Sequence, residues 1–290
     1  MSTPIPAQDS IGLAWLETFR AVTDLGGQAV NVTTTVTNPA SPEIPELRAV
    51  LDEHLVARRG GRGPIQTVNT VANTIFPSAL YADPGVTWSG DDPNGEAALD
   101  RSADRLVTRY RRNLPLLQRA HAGNNRGTYF GRLVAWDTPD GPINQLGDRI
   151  RSFRELRRRN YSQWNANELA IGREAEDFHE PLGAAGMDVY QVEDHSHFLS
   201  RGFPCLVHID LTLFEKKIHM LAVYRHQTLI TKAYGNLVGL ARLQRFLAQQ
   251  TGYGLGELTM QAGFSDAEWN GVWKKTRSKA ILAQAEATIP

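Results

Sequence analysis

Residues 204–214 read PCLVHIDLTLF, and this stretch decides the fold class. Val207, Ile209, Leu211 and Leu213 alternate with His208, Asp210 and Thr212, the two-residue period of a strand with one buried face. Glu215-Lys216-Lys217 then predicts a turn into a second strand over 218–225 (IHMLAVYR). The period changes at 234–251 (YGNLVGLARLQRFLAQQT). There Leu237, Leu240, Ala241, Leu243 and Leu247 fall at helical spacing on a broad apolar face, and Gly252 supplies the stop. A further strand is expected at 256–262 (GELTMQA) and a closing helix at 266–287. Strands and helices that mix without regular strand–helix–strand alternation predict an α+β protein, not a doubly wound sheet.

Toward the N-terminus the signals are weaker. Residues 1–12 are small, polar and proline-containing, and are expected to form a loose leader. Residues 46–59 place Leu47, Val50, Leu51, Leu55 and Val56 at helical spacing, and the Gly60-Gly61-Arg62-Gly63-Pro64 cluster breaks that helix. An apolar stretch over 65–82 carries Asn69 and Asn73. Residues 96–120 predict a charged surface helix bent at Pro115, with the Arg109, Arg111 and Arg112 run as a solvated face. No repeat or linker interrupts 1–290, so one domain is expected.

Composition sets further bounds. The chain has 290 residues and is 41% hydrophobic, which excludes intrinsic disorder for the bulk of it. Its 31 basic and 31 acidic residues cancel, which argues against a nucleic-acid polymer as partner, because that binding neutralises many phosphates. No run approaches the ~18 apolar residues that cross a bilayer. The first residues lack a basic segment followed by an apolar one, so a cytoplasmic location without a membrane partner is expected. The single cysteine, Cys205, excludes an internal disulfide and a multi-cysteine zinc site. Alone it reads as a small buried hydrophobe or a nucleophile.

The residues around it favour the nucleophile. In order along the chain stand Tyr129, Arg157-Arg158, the Ser162–Leu169 segment SQWNANEL with Trp164, Pro204-Cys205, Tyr224-Arg225 and Asn236. Together these resemble the thymidylate synthase superfamily, which includes the cytidylate hydroxymethylases, over roughly residues 125–263. The resemblance implies a mixed sheet with a long buried helix and surrounding helices. It implies an enzyme in which the Cys205 thiolate adds to C6 of a pyrimidine nucleoside 5′-monophosphate. C5 thereby becomes nucleophilic and takes a methyl or hydroxymethyl unit from 5,10-methylenetetrahydrofolate. Tyr129 is implied near the C5 proton, and Arg225 near the thiolate and the phosphate. Arg157 and Arg158 are implied on the phosphate, presented by the partner subunit of a homodimer with composite sites. Asn236 is implied on the uracil edge. Trp164 is implied as a pocket wall, and His226 and Gln227 as further substrate contacts.

The departures are equally specific. Leu206 replaces a histidine after the cysteine, and the segment Tyr224-Arg225-His226-Gln227 lets either Arg225 or His226 align with the phosphate arginine. The folate-associated aspartate and glycine are not evident in 228–235. Thr259 and Gln261 stand where the family holds the sugar hydroxyl, and Asn69 or Asn73 where it has a general-base glutamate. An insertion over 170–200 precedes the cysteine. An alternative is therefore a nucleotide-binding scaffold that has lost folate chemistry. A third reading, ranked below both, is a metal-dependent hydrolase around His179, His195 and His197; no metal ligand is assigned.

Overall fold

Eight helices and a mixed sheet make this an α+β protein among the described residues. The computed structural model describes residues 3–57, 59–60, 63–64, 67–120, 128–136, 138, 140–160, 169–170, 205–270 and 273–289. In chain order the elements are β1 (Thr3–Pro4), α1 (Ile11–Asp24), β2 (Gln28–Val36), α2 (Pro45–Ala57), β3 (Arg59–Gly60) and β4 (Gly63–Pro64). Then follow α3 (Val68–Ile75), α4 (Pro93–Ala120), α5 (Tyr129–Val134), α6 (Gln145–Arg158) and β5 (Leu169–Ala170). The chain continues through β6 (Leu206–Phe214), β7 (Lys217–Thr228), α7 (Tyr234–Thr251), β8 (Gly254–Asp266) and α8 (Lys274–Glu286). Contacts group the chain into two compact units, and β7 and α7 each contribute residues to both.

The first unit comprises Met1–Phe76, Leu221–Leu243 and Leu255–Pro290, with strand order β1-β2-β8-β7. β1 runs parallel to β2, and β2 pairs antiparallel with β8 from Gln28↔Asp266 to Val36↔Leu258. The leader expected over 1–12 is corrected here. Thr3 and Pro4 pair with β2, Ile5 is buried, and the Ser10 hydroxyl accepts the Leu13 amide to cap α1. Ile11, Trp15, Phe19 and Val22 then recur at helical spacing, and all four are buried. Each such side chain contributes about 1.5–3 kcal/mol on burial. The Trp15 indole N–H donates to the Leu229 carbonyl at 2.7 Å, and the Thr18 hydroxyl meets that of Thr34 on β2.

α7 follows a five-residue π-helix, Leu229–Ala233. Its first turns lie directly against α3. A Cβ at Gly235 would stand 2.6 Å from Val71 Cβ and 2.9 Å from the Val68 carbonyl oxygen; one at Gly239 would stand 2.8 Å from the Ala72 carbonyl oxygen. One turn on, an Arg242 Nη donates to Asn69 Oδ1 at 3.0 Å and to Asn73 Oδ1 at 3.4 Å.

The second unit comprises Pro77–Met220 and Gln244–Gly254, with strand order β7-β6-β5. Glu215 and Lys216 both take positive φ (49° and 58°), the sense that a two-residue hairpin turn needs to match strand twist. The alternation expected along β6 shifts at its start: Leu206 is buried with Ile209, Leu211 and Leu213, whereas Val207 is half-buried. Arg154 on α6 is buried. It donates to the Gln250 carbonyl at 2.7 Å, to Gln250 Oε1 at 3.1 Å and to Asp100 Oδ1 at 2.6 Å. Gly252 ends α7 with φ +73°, and a Cβ there would lie 2.2 Å from the Trp88 carbonyl oxygen. The closing helix starts at Lys274 instead of 266, because β8 continues to Asp266.

Two effects oppose each other in Gly239→Ala. Alanine gains up to about 1 kcal/mol of helix propensity, but its Cβ must displace α3 backbone, and overpacking of this kind costs about 1–3 kcal/mol. Net destabilisation of about 1–2 kcal/mol is expected in chemical denaturation. Unchanged or raised stability would show that α3 yields without strain.

Candidate functional site

Tyr129 and Cys205 meet in the second unit. The Thr128 hydroxyl accepts the Gly131 amide and so caps α5, making Tyr129 the first residue of that helix. Thr128 is itself held by the Tyr110 hydroxyl, and the Tyr110 ring packs edge-on against Phe130 at 4.8 Å. From this anchored turn the Tyr129 phenol oxygen accepts the backbone N–H of Cys205 at 3.2 Å and that of Leu206 at 3.4 Å. The bonds fix the chain where it enters β6. Cys205 itself is half-buried, while Leu206 is buried.

Burial pushes the Tyr129 phenol up to about 12. Negative charge at Cys205 adds to the rise, while the two backbone amides and the Arg132 guanidinium oppose it. Near neutral pH Tyr129 is thus a neutral phenol. Its oxygen accepts two amides and its single proton remains available to donate. It is a poor proton acceptor there, so its geometry assigns it to positioning. The Arg132 guanidinium is close enough to act electrostatically on the Tyr129 phenol. Its sequence signal was absent, because it matches no quoted motif.

A second polar group lies in the first unit. Asn236, in the first turn of α7, donates through Nδ2 to Gln227 Oε1 at 3.2 Å, and both side chains are buried. Gln227 also approaches the Met260 sulfur at 3.4 Å. Gln227 therefore orients Asn236, whose Oδ1 and remaining N–H keep an acceptor and a donor. The buried His226 Nε2 has no hydrogen-bond partner among the described residues, and its ring lies 5.3 Å from Phe264. Arg225 is exposed on β7.

Arg157 and Arg158 make contacts within the second unit. The Arg157 guanidinium lies 5.1 Å over the Tyr253 ring, and Arg158 lies 5.3 Å over Trp88 while bonding both Glu96 carboxylate oxygens at 2.8 and 2.9 Å. Thr259 and Gln261 form cross-strand hydrogen bonds with Thr35 and Thr33. Asn69 and Asn73 serve Arg242, as described above. Trp164, the 171–200 part of the insertion, and His179, His195 and His197 lie outside the described residues. Among the described residues no group of three His, Cys, Asp or Glu side chains is disposed to hold a metal, and no helix is long and apolar enough to cross a membrane.

No protein-family model matches the chain, and no curated protein matches it.

Tyr129→Phe removes one acceptor from two amides. A loss of about 1–3 kcal/mol is expected from their unmet hydrogen bonds. The pH dependence has a defined sign. The native phenol, near 12, keeps its proton through the range above 10 where the unfolded chain releases it. That stabilisation is complete below pH 10 and disappears as pH rises through 12. Between pH 9 and 11.5 the phenylalanine variant should therefore lose less stability than wild type. Parallel losses in denaturant titrations at the two pH values would contradict the assignment.

Proposed function

We propose that this protein is a divergent thymidylate-synthase-like enzyme that places a one-carbon unit on C5 of a pyrimidine nucleoside 5′-monophosphate through a Cys205 adduct. The observation that carries the reading is the bond from the Cys205 amide to the Tyr129 phenol, across 76 positions of sequence. The motif resemblance selects those two residues without reference to their distance. Asn236 in the first turn of a largely buried helix, oriented by Gln227, adds support. The thymidylate-synthase-like fold, and a homodimer in which one copy's Arg157 and Arg158 serve the other's phosphate site, belong to the same proposal.

The chemistry starts at Cys205 Sγ. Its thiolate forms a bond to C6 of the pyrimidine, and the 5,6 π pair moves through C5 onto the C4 carbonyl as an enolate. C5 then bonds to a carbon electrophile at the formaldehyde oxidation level, whose C=O or C=N π pair moves onto the heteroatom and takes up a proton, leaving a hydroxymethyl-level unit on C5. Loss of the C5 proton to a base and expulsion of the thiolate restore the ring double bond. Without the electrophile, C5 takes a solvent proton, and reversal exchanges the C5 hydrogen. Tyr129 holds the nucleophile's backbone in place through the Cys205 and Leu206 amides. The resemblance implies Asn236 on the uracil edge, and the donor and acceptor that Gln227 leaves it suit O4 and N3–H.

The folate implied by the resemblance does not fit residues 228–235. Leu229, Ile230 and Ala233 are buried, and the Leu229 carbonyl is taken by Trp15. The amides of Ile230 and Thr231 both donate to Glu268 Oε2 at 2.8 Å, and the Thr231 hydroxyl donates to Glu268 Oε1 while lying 2.9 Å from the Thr228 hydroxyl. The Leu229 carbonyl and the Ile230 and Thr231 amides are thus committed within the first unit and not free for a pterin. That observation favours the second reading, a nucleotide-binding scaffold of the same fold.

Release of tritium from [5-³H]UMP, dUMP, CMP and dCMP, with and without methylenetetrahydrofolate, distinguishes the two. Release from at least one nucleotide is expected, reduced to background by Cys205→Ser. Calorimetric binding of a nucleotide with no release under any condition would establish the scaffold instead. Release that survives Cys205→Ser would exclude the covalent route.

A further inference from the structure

The neutral total of the chain conceals a local imbalance. From Arg105 to Trp136 the sequence contains seven arginines and neither aspartate nor glutamate. α4 sorts the first of these by direction. Arg111 turns inward and donates to the Val134 carbonyl at 2.8 Å, whereas Arg101, Arg105, Arg109 and Arg112 are exposed. At roughly 100° per residue those four share a sector roughly 80° wide. At about 1.5 Å rise per residue they stand about 6, 6 and 4.5 Å apart along the helix. None forms an ion pair among the described residues. Beyond Pro115, Arg119 is exposed as well.

The neighbouring acids are largely engaged elsewhere. Asp100 bonds Arg154 at 2.6 Å. Asp83, which shares a depression with Arg101 and Arg105, accepts from Gly85 and from Gln249. Asp83 and Asp104 flank the stripe as two exposed carboxylates without an ion pair among the described residues, against the four arginines.

We propose that this stripe docks α4 on the phosphate backbone of a nucleic acid, reversing the expectation drawn from net charge. The choice of partner follows from what accompanies the arginines. Leu116 is the one large exposed apolar side chain on α4 among the described residues, too little for a helix that must sink an apolar face into an anionic membrane. An acidic protein partner needs a desolvated aromatic or aliphatic centre to anchor the interface, and the stripe has none. Phosphate contacts need neither, and they supply essentially all of non-specific nucleic-acid binding. The guanidinium fork also pairs with phosphate oxygens bidentately, which lysine cannot do. The inference is independent of Cys205 chemistry.

The test is fluorescence anisotropy of the full chain with a labelled duplex DNA of about 24 base pairs. Four neutralised phosphates give a log K against log salt slope of about −4 and roughly a 10²-fold loss of affinity between 50 and 200 mM salt. The R101Q/R105Q/R109Q/R112Q variant is expected to keep its thermal midpoint and lose most of the affinity and the salt slope. K274Q/K275Q/R277Q/K279Q removes the same charge from α8 and is expected to bind as wild type. Absence of binding at 50 mM salt would overturn the proposal. So would equal weakening by the α8 variant, or tighter binding to phosphatidylserine vesicles or polyglutamate than to the duplex.

Discussion

Two absent side chains position the first half of α7. Helix α3 is short, and its carbonyls at Val68 and Ala72 lie within 3 Å of where Cβ atoms at Gly235 and Gly239 would be. Glycine usually weakens a helix interior by about 1 kcal/mol relative to alanine. Here it permits backbone to touch backbone, and close packing returns more than the propensity removes. Asn236 sits beside the first of these glycines, so the same contact sets its depth and its bond to Gln227. The Arg242 bonds to Asn69 and Asn73 hold the next turn on the same partner. In consequence, Asn69 and Asn73 serve packing between α3 and α7.

The start of α7 is fixed from other directions too. Trp15 takes the Leu229 carbonyl, and Glu268 takes the following two amides. Glu268 adopts φ +60° to do so, and its carboxyl is raised by burial although three donors oppose the rise. A non-glycine residue in the left-handed region is tolerated where surrounding contacts compensate, and here they close a π-helical turn. The geometry that stabilises this turn is the same geometry that commits the Leu229 carbonyl, the Ile230 and Thr231 amides and the Thr231 hydroxyl.

How much of this was legible depended on distance along the chain. The succession of β6, β7, α7 and β8 was readable because each carries its own period, and the bounds of α7 matched Tyr234–Thr251 because Gly252 must adopt a positive φ. Helix α1 carried an equally local signal, Ser10 followed by Ile11, Trp15, Phe19 and Val22. The small polar residues before it obscured that signal, and nothing in residues 1–12 shows that Thr3 and Pro4 will find β2. Tyr129 and Cys205 were legible as chemical types in an order. That the phenol accepts the cysteine amide was not, because the contact spans 76 positions and involves backbone. The commitments of Arg158 to Glu96 and of Thr259 to Thr35 were hidden for the same reason.

Charge shows the same limit in another form. A net charge of zero describes a sum, whereas recognition depends on which charges share a face. On α4 the acids Glu96 and Asp100 stand one turn apart and bond Arg158 and Arg154 on α6. The buried Arg154 requires such a partner, because an uncompensated guanidinium in that position would be costly. Each acid drawn to the α6 side is one fewer available to Arg101, Arg105, Arg109 and Arg112 on the exposed side. The same ion pairs that join the two helices therefore leave a run of positive charge facing water, and the helical repeat aligns it into a stripe.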